Sequence, residues 1–323
     1  MNDEATKVSN PFSMGGGGVN FENQVQSAFV VLMLTGGVVP CLSPWPITKI
    51  KLQGKYKGYD TDDFIAFVEE KSGERKAKLL AQIKHSVAIT EQDKRFRKVI
   101  QAAWGDFKNQ KCFDPKNDAI ALITAHLSAN DRESTRIILD RARHLENAQE
   151  FLNMTGMAKV SSDDQRRKLK AFRTQLMKAN GGQDIGDEKL WQFLKSFHLL
   201  GYDLDIVSGV TLSLLNSHIA QFECGDVSGL WAKVSRHVAL FNQDAGTITH
   251  ETIPDEIKTV FLKRVSAVQI PERLLKKKKA TEKKSVFPAG NKAKALMFAA
   301  LLGSWSDKSE GDMDAIHKLI GGK

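Results

Sequence analysis

Two short apolar runs joined by a polar turn constrain this chain more than any other feature. Residues 64–68 read FIAFV and residues 78–84 read KLLAQIK, with EEKSGERK and its single glycine between them. FIAFV is apolar at every position, as in a central strand covered on both faces. The polar connection has the composition of a hairpin. An antiparallel pair of strands over residues 63–68 and 78–84 is therefore expected, inside a sheet that helices cover.

The flanking segments supply those helices. Apolar Phe21, Val25, Ala28, Phe29 and Leu32 recur at helical spacing and predict a helix over 19–35, with Asn20 as N-cap and Gly36-Gly37 as stop. A proline-rich loop at 40–46 leads into ITKIKL at 47–52, an alternating strand. Phe96, Val99, Ile100, Ala103 and Phe107 predict a helix over 91–108, capped by Thr90, and DAIALIT at 118–124 is a further strand. From residue 130 the spacing is helical through ESTRIILDRARHLENAQEFL, DDQRRKLKAFRTQLMKA, EKLWQFLKSFHLL and GVTLSLLNSHIAQF, with LDI at 204–206 as a short strand. Trp104, Trp191 and Trp231 take apolar helical positions and are expected in the core. The class is α/β, an α-β-β-β-α-β front half followed by a mostly α-helical region. The expected organisation is a flexible lead-in (1–18), a core (19–128), a helical subdomain (129–260), and a basic linker with a terminal helix (261–323).

Composition narrows the function classes. Hydrophobic residues at 41% and charged residues at 26% are the balance of a folded soluble protein. No apolar run approaches the roughly 18 residues of a membrane span. The opening MNDEATKVSN lacks the character of a secretory signal, so a cytoplasmic protein without a membrane partner is expected. Cys41, Cys112 and Cys224 lie far apart with no zinc-ligand spacing, which fits free thiols in a reducing compartment. The net charge of +9 is localised: residues 258–294 hold twelve Lys and Arg against two acids, so the body is nearly neutral. The stretch 273–292 is a linker or a basic arm. As an arm, Lys276, Lys277 and Lys278 would add salt-dependent, sequence-independent affinity for DNA. Arg166 and Arg167 either touch the DNA backbone or belong to a solvated helix face. The glycine run at 15–18 lacks the G-K-[ST] ending of a phosphate loop.

The chemistry-bearing residues gather where the two central strands meet. Asp62 and Asp63 open one strand, and Gln82 and Lys84 lie near the end of the other. Residues two apart on a strand share a face, so Gln82 and Lys84 project together. Antiparallel pairing sets Asp63 beside them, although register leaves Asp62 and Asp63 as alternatives. A lysine among Leu, Ala and Ile needs a partner. Hard oxygen donors suit Mg2+ (or Mn2+), with a carboxylate from Asp63 or Asp62 and an amide oxygen from Gln82. Lys84 can orient a water or balance charge developing on a phosphate. Glu22, near the start of the first helix, either adds a further acid or complements the helix dipole.

This D-hairpin-Q-x-K pattern with an acid on the preceding helix resembles the PD-(D/E)xK nuclease superfamily, and its Q-x-K form is similar to the Mrr-like restriction branch. The strings GGGGVNFENQVQSAFVVLML, GYDTDDFIAFVE, LLAQIKHS and FRKVIQAAWGDF resemble the DNA endonuclease domain of bacterial antiphage proteins, over roughly residues 10–240. That domain serves as an effector of cyclic-oligonucleotide (CBASS) defence and as the N-terminal part of antiviral STAND NTPases. The resemblance implies a restriction-endonuclease-like core with Asp63, Gln82, Glu22 and neighbouring Asp62 at the metal, Lys84 as the lysine, and Gln101 as a further polar group. It implies magnesium-dependent cutting of double-stranded DNA, held off until assembly as a homo-oligomer, with a C-terminal NTPase or sensor region where the chain is part of a longer protein. The closing GGK suggests a chain cut at a domain edge. No helix-turn-helix or zinc finger is visible to read bases, so little sequence specificity is expected. Gln82 departs from the commoner acid and lowers the charge at the metal. The alternative function is a catalytically inactive nucleic-acid-binding or assembly module of the same fold.

Overall fold

In the computed structural model, residues 16–262 are described, apart from Cys224. The central hairpin forms as its composition requires. β2 (Phe64–Glu69) pairs antiparallel with β3 (Lys76–Ser86), in register from Phe64 opposite Ala81 to Glu69 opposite Lys76. β1 (Ile47–Leu52) continues the antiparallel side, while β4 (Ala119–His126) and β5 (Phe197–Gly201) extend β3 in parallel. With β6 (Thr247–Thr249) on β1, the six-stranded mixed sheet has the order β5-β4-β3-β2-β1-β6.

Alternation along the two central strands explains the two layers. Phe64, Ala66, Leu79, Ala81 and Ile83 face α1 (Gly16–Leu34), where Phe21, Val25 and Phe29 are buried. Ile65, Leu80, Ile120 and Leu122 face the other layer. There α2 (Lys94–Lys108) buries Phe96, Val99, Ile100 and Ala103, backed by α3 (Ala129–His144), α4 (Ala148–Gly156), α5 (Asp163–Ala179) and α6 (Asp187–Ser196). The first layer is completed by α7 (Val210–Ile219) and α8 (Val227–Gln243), which contributes Leu230, Val234 and Val238. A chain that buries both faces of FIAFV needs both layers, so the fold is mixed α/β. Trp104 and Trp191 are buried as expected, and Trp231 packs against the first core from a partly buried position.

Several expectations are corrected. α2 starts at Lys94 with Asp93 as its N-cap, whose carboxylate accepts from the Phe96 amide at 2.6 Å. Thr90 instead accepts from the Asp93 amide at 3.2 Å. FHLL does not prolong α6; it is β5, drawn into extended form by the open parallel edge of β4. LDI at 204–206 lies in a turn, and three-residue β6 was not expected. Gly16, Gly17 and Gly18 form the first turn of α1 rather than a flexible lead-in. The division expected at residue 128 falls inside the sheet, since β5 and β6 come from beyond it. Residues 263–323, with Lys276, Lys277, Lys278 and the expected terminal helix, lie outside the described residues. Among those described, no helix is long and apolar enough to cross a membrane, and Cys41 and Cys112 are free thiols.

Candidate active site at the open end of strand β3

β3 outlasts its antiparallel partner. Pairing with β2 ends at Phe64–Ala81, while β3 runs on to Ser86 beside β4 alone. The backbone on that side of residues 82–86 therefore has no neighbouring strand. Asp63, one residue before β2, fills the first vacancy: its Oδ2 accepts the amide hydrogen of Ile83. The same oxygen accepts from Lys84 Nζ at 2.8 Å, and this ammonium also donates to the Ile83 carbonyl at 2.8 Å. Gln82 shares the Lys84 face, is 7% exposed, and finds no hydrogen-bond partner for its amide among the described residues.

The segment that delivers Asp63 is pinned on two sides. The Asp106 carboxylate of α2 accepts from the Asp60 amide at 2.8 Å and the Thr61 amide at 2.7 Å. Burial raises the Asp106 carboxyl above its ordinary range, opposed by these hydrogen bonds. Asp60 lies so close to Gly105 that a Cβ there would sit 1.7 Å from its carboxylate, which would have to swing aside. On the other side, Gly54 N donates to the Asp62 carbonyl at 2.7 Å, and an added Cβ at Gly54 would meet the Thr61 carbonyl at 2.3 Å.

α1 brings the remaining acid. Gln26 Nε2 donates both to Glu22 Oε1 at 3.0 Å and to the Asp63 carbonyl at 3.1 Å. Two acceptors on one nitrogen fix the amide's orientation, and they leave Gln26 Oε1 buried without a partner. Burial pushes the Glu22 carboxyl up to about 7; the negative charge of Asp63 adds to this, while Lys84 and hydrogen bonds from Asn242 and Gln26 oppose it. Asn242, near the end of α8, is held in turn by Gln53, whose Nε2 donates to the Asn242 carbonyl at 2.6 Å. Gln53 takes a left-handed backbone, φ 49°, which is uncommon outside glycine and asparagine. Gln53 N donates in turn to the Asp63 carbonyl at 3.5 Å, which links Glu22, Gln26, Asp63, Gln53 and Asn242 in a ring.

The expected residues divide accordingly. Glu22, Asp63 and Lys84 come together, and Gln82 follows Ala81, the last β3 residue paired with β2, on the face it shares with Lys84. Asp62 turns away to Lys55, 3.3 Å distant, and Asp63 is the one of the two acids that meets Lys84. Gln101 is exposed on α2 and does not join the group. Arg166 and Arg167 are each engaged by an acid one turn back, Asp163 and Asp164. His85 pairs with Asp205 at 2.9 Å and meets the Phe21 ring edge-on, as a structural histidine would. Sequence reasoning missed Gln26, Gln53 and Asn242. The only available signal was Gln26, a glutamine four residues after Glu22 on an otherwise apolar helical face.

The donor set suits a hard divalent cation. Two carboxylates and an amide oxygen without a hydrogen bond are available, and magnesium takes one or two carboxylates with waters and substrate phosphates completing its sphere. Among the described residues, no group of three or more His, Cys, Asp or Glu side chains is placed to hold a metal ion.

The chain matches no known family model and no curated protein sequence. Among solved structures it is similar to the Acinetobacter baumannii Cap4 SAVED/CARF-domain containing receptor. The identity is 12% and the TM-score 0.41, over 76% of this chain, both with the cyclic trinucleotide 3'3'3'-cAAA and without it. The chain spans about half the length of those receptor chains, 50% and 49%.

Proposed function

We propose that this chain is a metal-dependent endonuclease that hydrolyses phosphodiester bonds of double-stranded DNA with little sequence specificity. One observation carries the reading: the Lys84 ammonium sits 2.8 Å from the Asp63 carboxylate where β2 leaves β3, with Gln82 and Glu22 beside them. In this reading Asp63, Glu22 and the Gln82 amide oxygen hold Mg2+ or Mn2+. Such an ion, when bound, lowers the pKa of a coordinated water and neutralises phosphate charge. Lys84 orients the attacking water and balances the charge that develops on the phosphate in the transition state. Asp63 also keeps that ammonium aimed, and Gln26 ties Glu22 to the Asp63 backbone. The chain order α1-β1-β2-β3-α2-β4 supports a restriction-endonuclease-like core. An antiphage setting, self-association and a C-terminal NTPase or sensor region belong to the same proposal and rest on the sequence resemblance.

Supercoiled plasmid incubated with the full chain and Mg2+ or Mn2+ tests this. Nicked and linear products are expected from the wild type, none with EDTA, and none above background from Lys84→Ala. Tight DNA retention with no cutting in any divalent metal would overturn it. That outcome would favour an inactive binding module of the same fold, a reading favoured by the single feature of a neutral Gln82 where the superfamily commonly has an acid.

A further inference from the structure

We propose that the first two turns of α2 form the surface that grips the phosphate backbone of a DNA duplex next to the Asp63–Lys84 pair. The inference rests on the proposed nuclease function and names where its substrate is held.

β3, α2 and β4 form a parallel crossover unit, so α2 runs back against β3 and begins over its C-terminal end. That is the end carrying Lys84. The helix is fastened there by Arg95, whose Nη1 donates to the Ser86 carbonyl at 3.0 Å and the Ser86 hydroxyl at 2.7 Å. Ser86 lies two residues beyond Lys84, about 7 Å along a strand.

The opening sequence KRFRK is unfavourable for the helix itself. Its first turn holds no acid, although the helix dipole favours acids there and disfavours cations. Lys94, Arg97 and Lys98 are exposed at i, i+3 and i+4, where like charges repel. They form one stripe directly opposite buried Phe96, Val99 and Ile100. The two acids close in sequence are already used. Asp93 caps the helix through the Phe96 amide, and Glu91 pairs with Lys170 at 3.1 Å and accepts from Thr174 at 2.9 Å. Among the described residues Lys94, Arg97 and Lys98 form no ion pair, in contrast to Arg166, Arg167 and Arg173, which each hold an aspartate. Three unneutralised cations beside an exposed Gln101, at the site end of the sheet, complement an anionic backbone. Contacts of this kind position a duplex without reading its sequence.

The test is the salt dependence of binding by the full chain to a short fluorescent DNA duplex, measured by anisotropy in EDTA so that nothing is cut. Lys94→Ala/Arg97→Ala/Lys98→Ala together should lower the slope of log affinity against log salt by about 2 to 3. Lys98→Gln alone, a milder change, should lower it by about 1. A matched set at the opposite end of the sheet, Lys71→Ala/Lys111→Ala/Lys116→Ala, removes the same charge and should leave the slope unchanged. Equal losses from both sets, no loss from the α2 set, or no duplex binding by the wild type would overturn the proposal. A wild type that binds with the α2 slope but never cuts plasmid would sink the nuclease reading and leave the surface standing. Cutting with an unaltered slope would do the reverse.

Discussion

β3 carries a lysine–aspartate pair near each end, and the two pairs differ in what surrounds them. Near its start, Lys78 meets Asp118 at 2.7 Å, and the Asp118 carboxylate also accepts from the Lys78 amide at 2.9 Å and the Asp114 amide at 2.9 Å. Every group there is answered by another. Near its end, Lys84 meets Asp63 at an almost identical 2.8 Å, yet Gln26 ties a second acid, Glu22, to the Asp63 backbone, and among the described residues neither Gln26 Oε1 nor the Gln82 amide has a partner. The contrast shows that an ion pair on a strand is not itself a sign of chemistry. What sets the second pair apart is the buried Gln26 Oε1 beside Glu22, which has no partner among the described residues and costs stability unless something answers it.

Substitutions at the two ends should separate these roles. Lys84→Ala and Asp63→Asn should each lower plasmid nicking by about two to three orders of magnitude. Asp118→Ala should leave the specific activity of the folded protein unchanged. If Asp118→Ala abolished nicking as Asp63→Asn does, the two ends would be equivalent and the distinction lost. For stability the order reverses. Asp118→Ala strands the Lys78 ammonium and two backbone amides, and should cost about 3 kcal/mol in urea unfolding. Lys84→Ala removes a half-exposed cation and should cost clearly less.

Two smaller effects sharpen the open end. Gln82→Glu supplies the acid that the superfamily commonly has, and should tighten Mn2+ binding on the order of tenfold. Without metal it should lower thermal stability slightly, by adding charge beside Asp63 and Glu22. Weaker Mn2+ binding in that variant would place Gln82 outside the metal's reach. Asn242→Ala cuts the ring behind Glu22 and should weaken Mn2+ binding by about tenfold or less, with little change in unfolding. Asn242→Asp, which keeps the length but exchanges a donor for a charge facing Glu22, should not rescue it.

Much of this was legible because strand periodicity is strict. FIAFV and KLLAQIK specified a hairpin covered on both faces, and the hairpin alone brought Asp63 beside Gln82 and Lys84. What alternation could not fix was a shift by one residue. Only the Gly54 turn and the Asp106 cradle, which depend on tertiary contacts, aim Asp63 inward and Asp62 toward Lys55. FHLL was read as helix because its apolar spacing continues α6; that the neighbouring edge of β4 would claim it is a non-local fact. Gln53 and Asn242 lie 189 residues apart and carry no local mark. Arg166 and Arg167 look available for DNA in the sequence because it does not show which charges of a helix face pair; in the fold the aspartates one turn back hold them. Gln101, carried over from the superfamily pattern, follows buried Ile100 and therefore faces outward.

The most direct test is a crystal of the full chain soaked in Mn2+, read by anomalous scattering. The account predicts a peak within ligand distance, about 2 Å, of an Asp63 carboxylate oxygen, with Glu22 or Gln82 as a second ligand. A well-diffracting crystal with no peak at the open end of β3, or one ligated only at Lys78's partner Asp118, would contradict it.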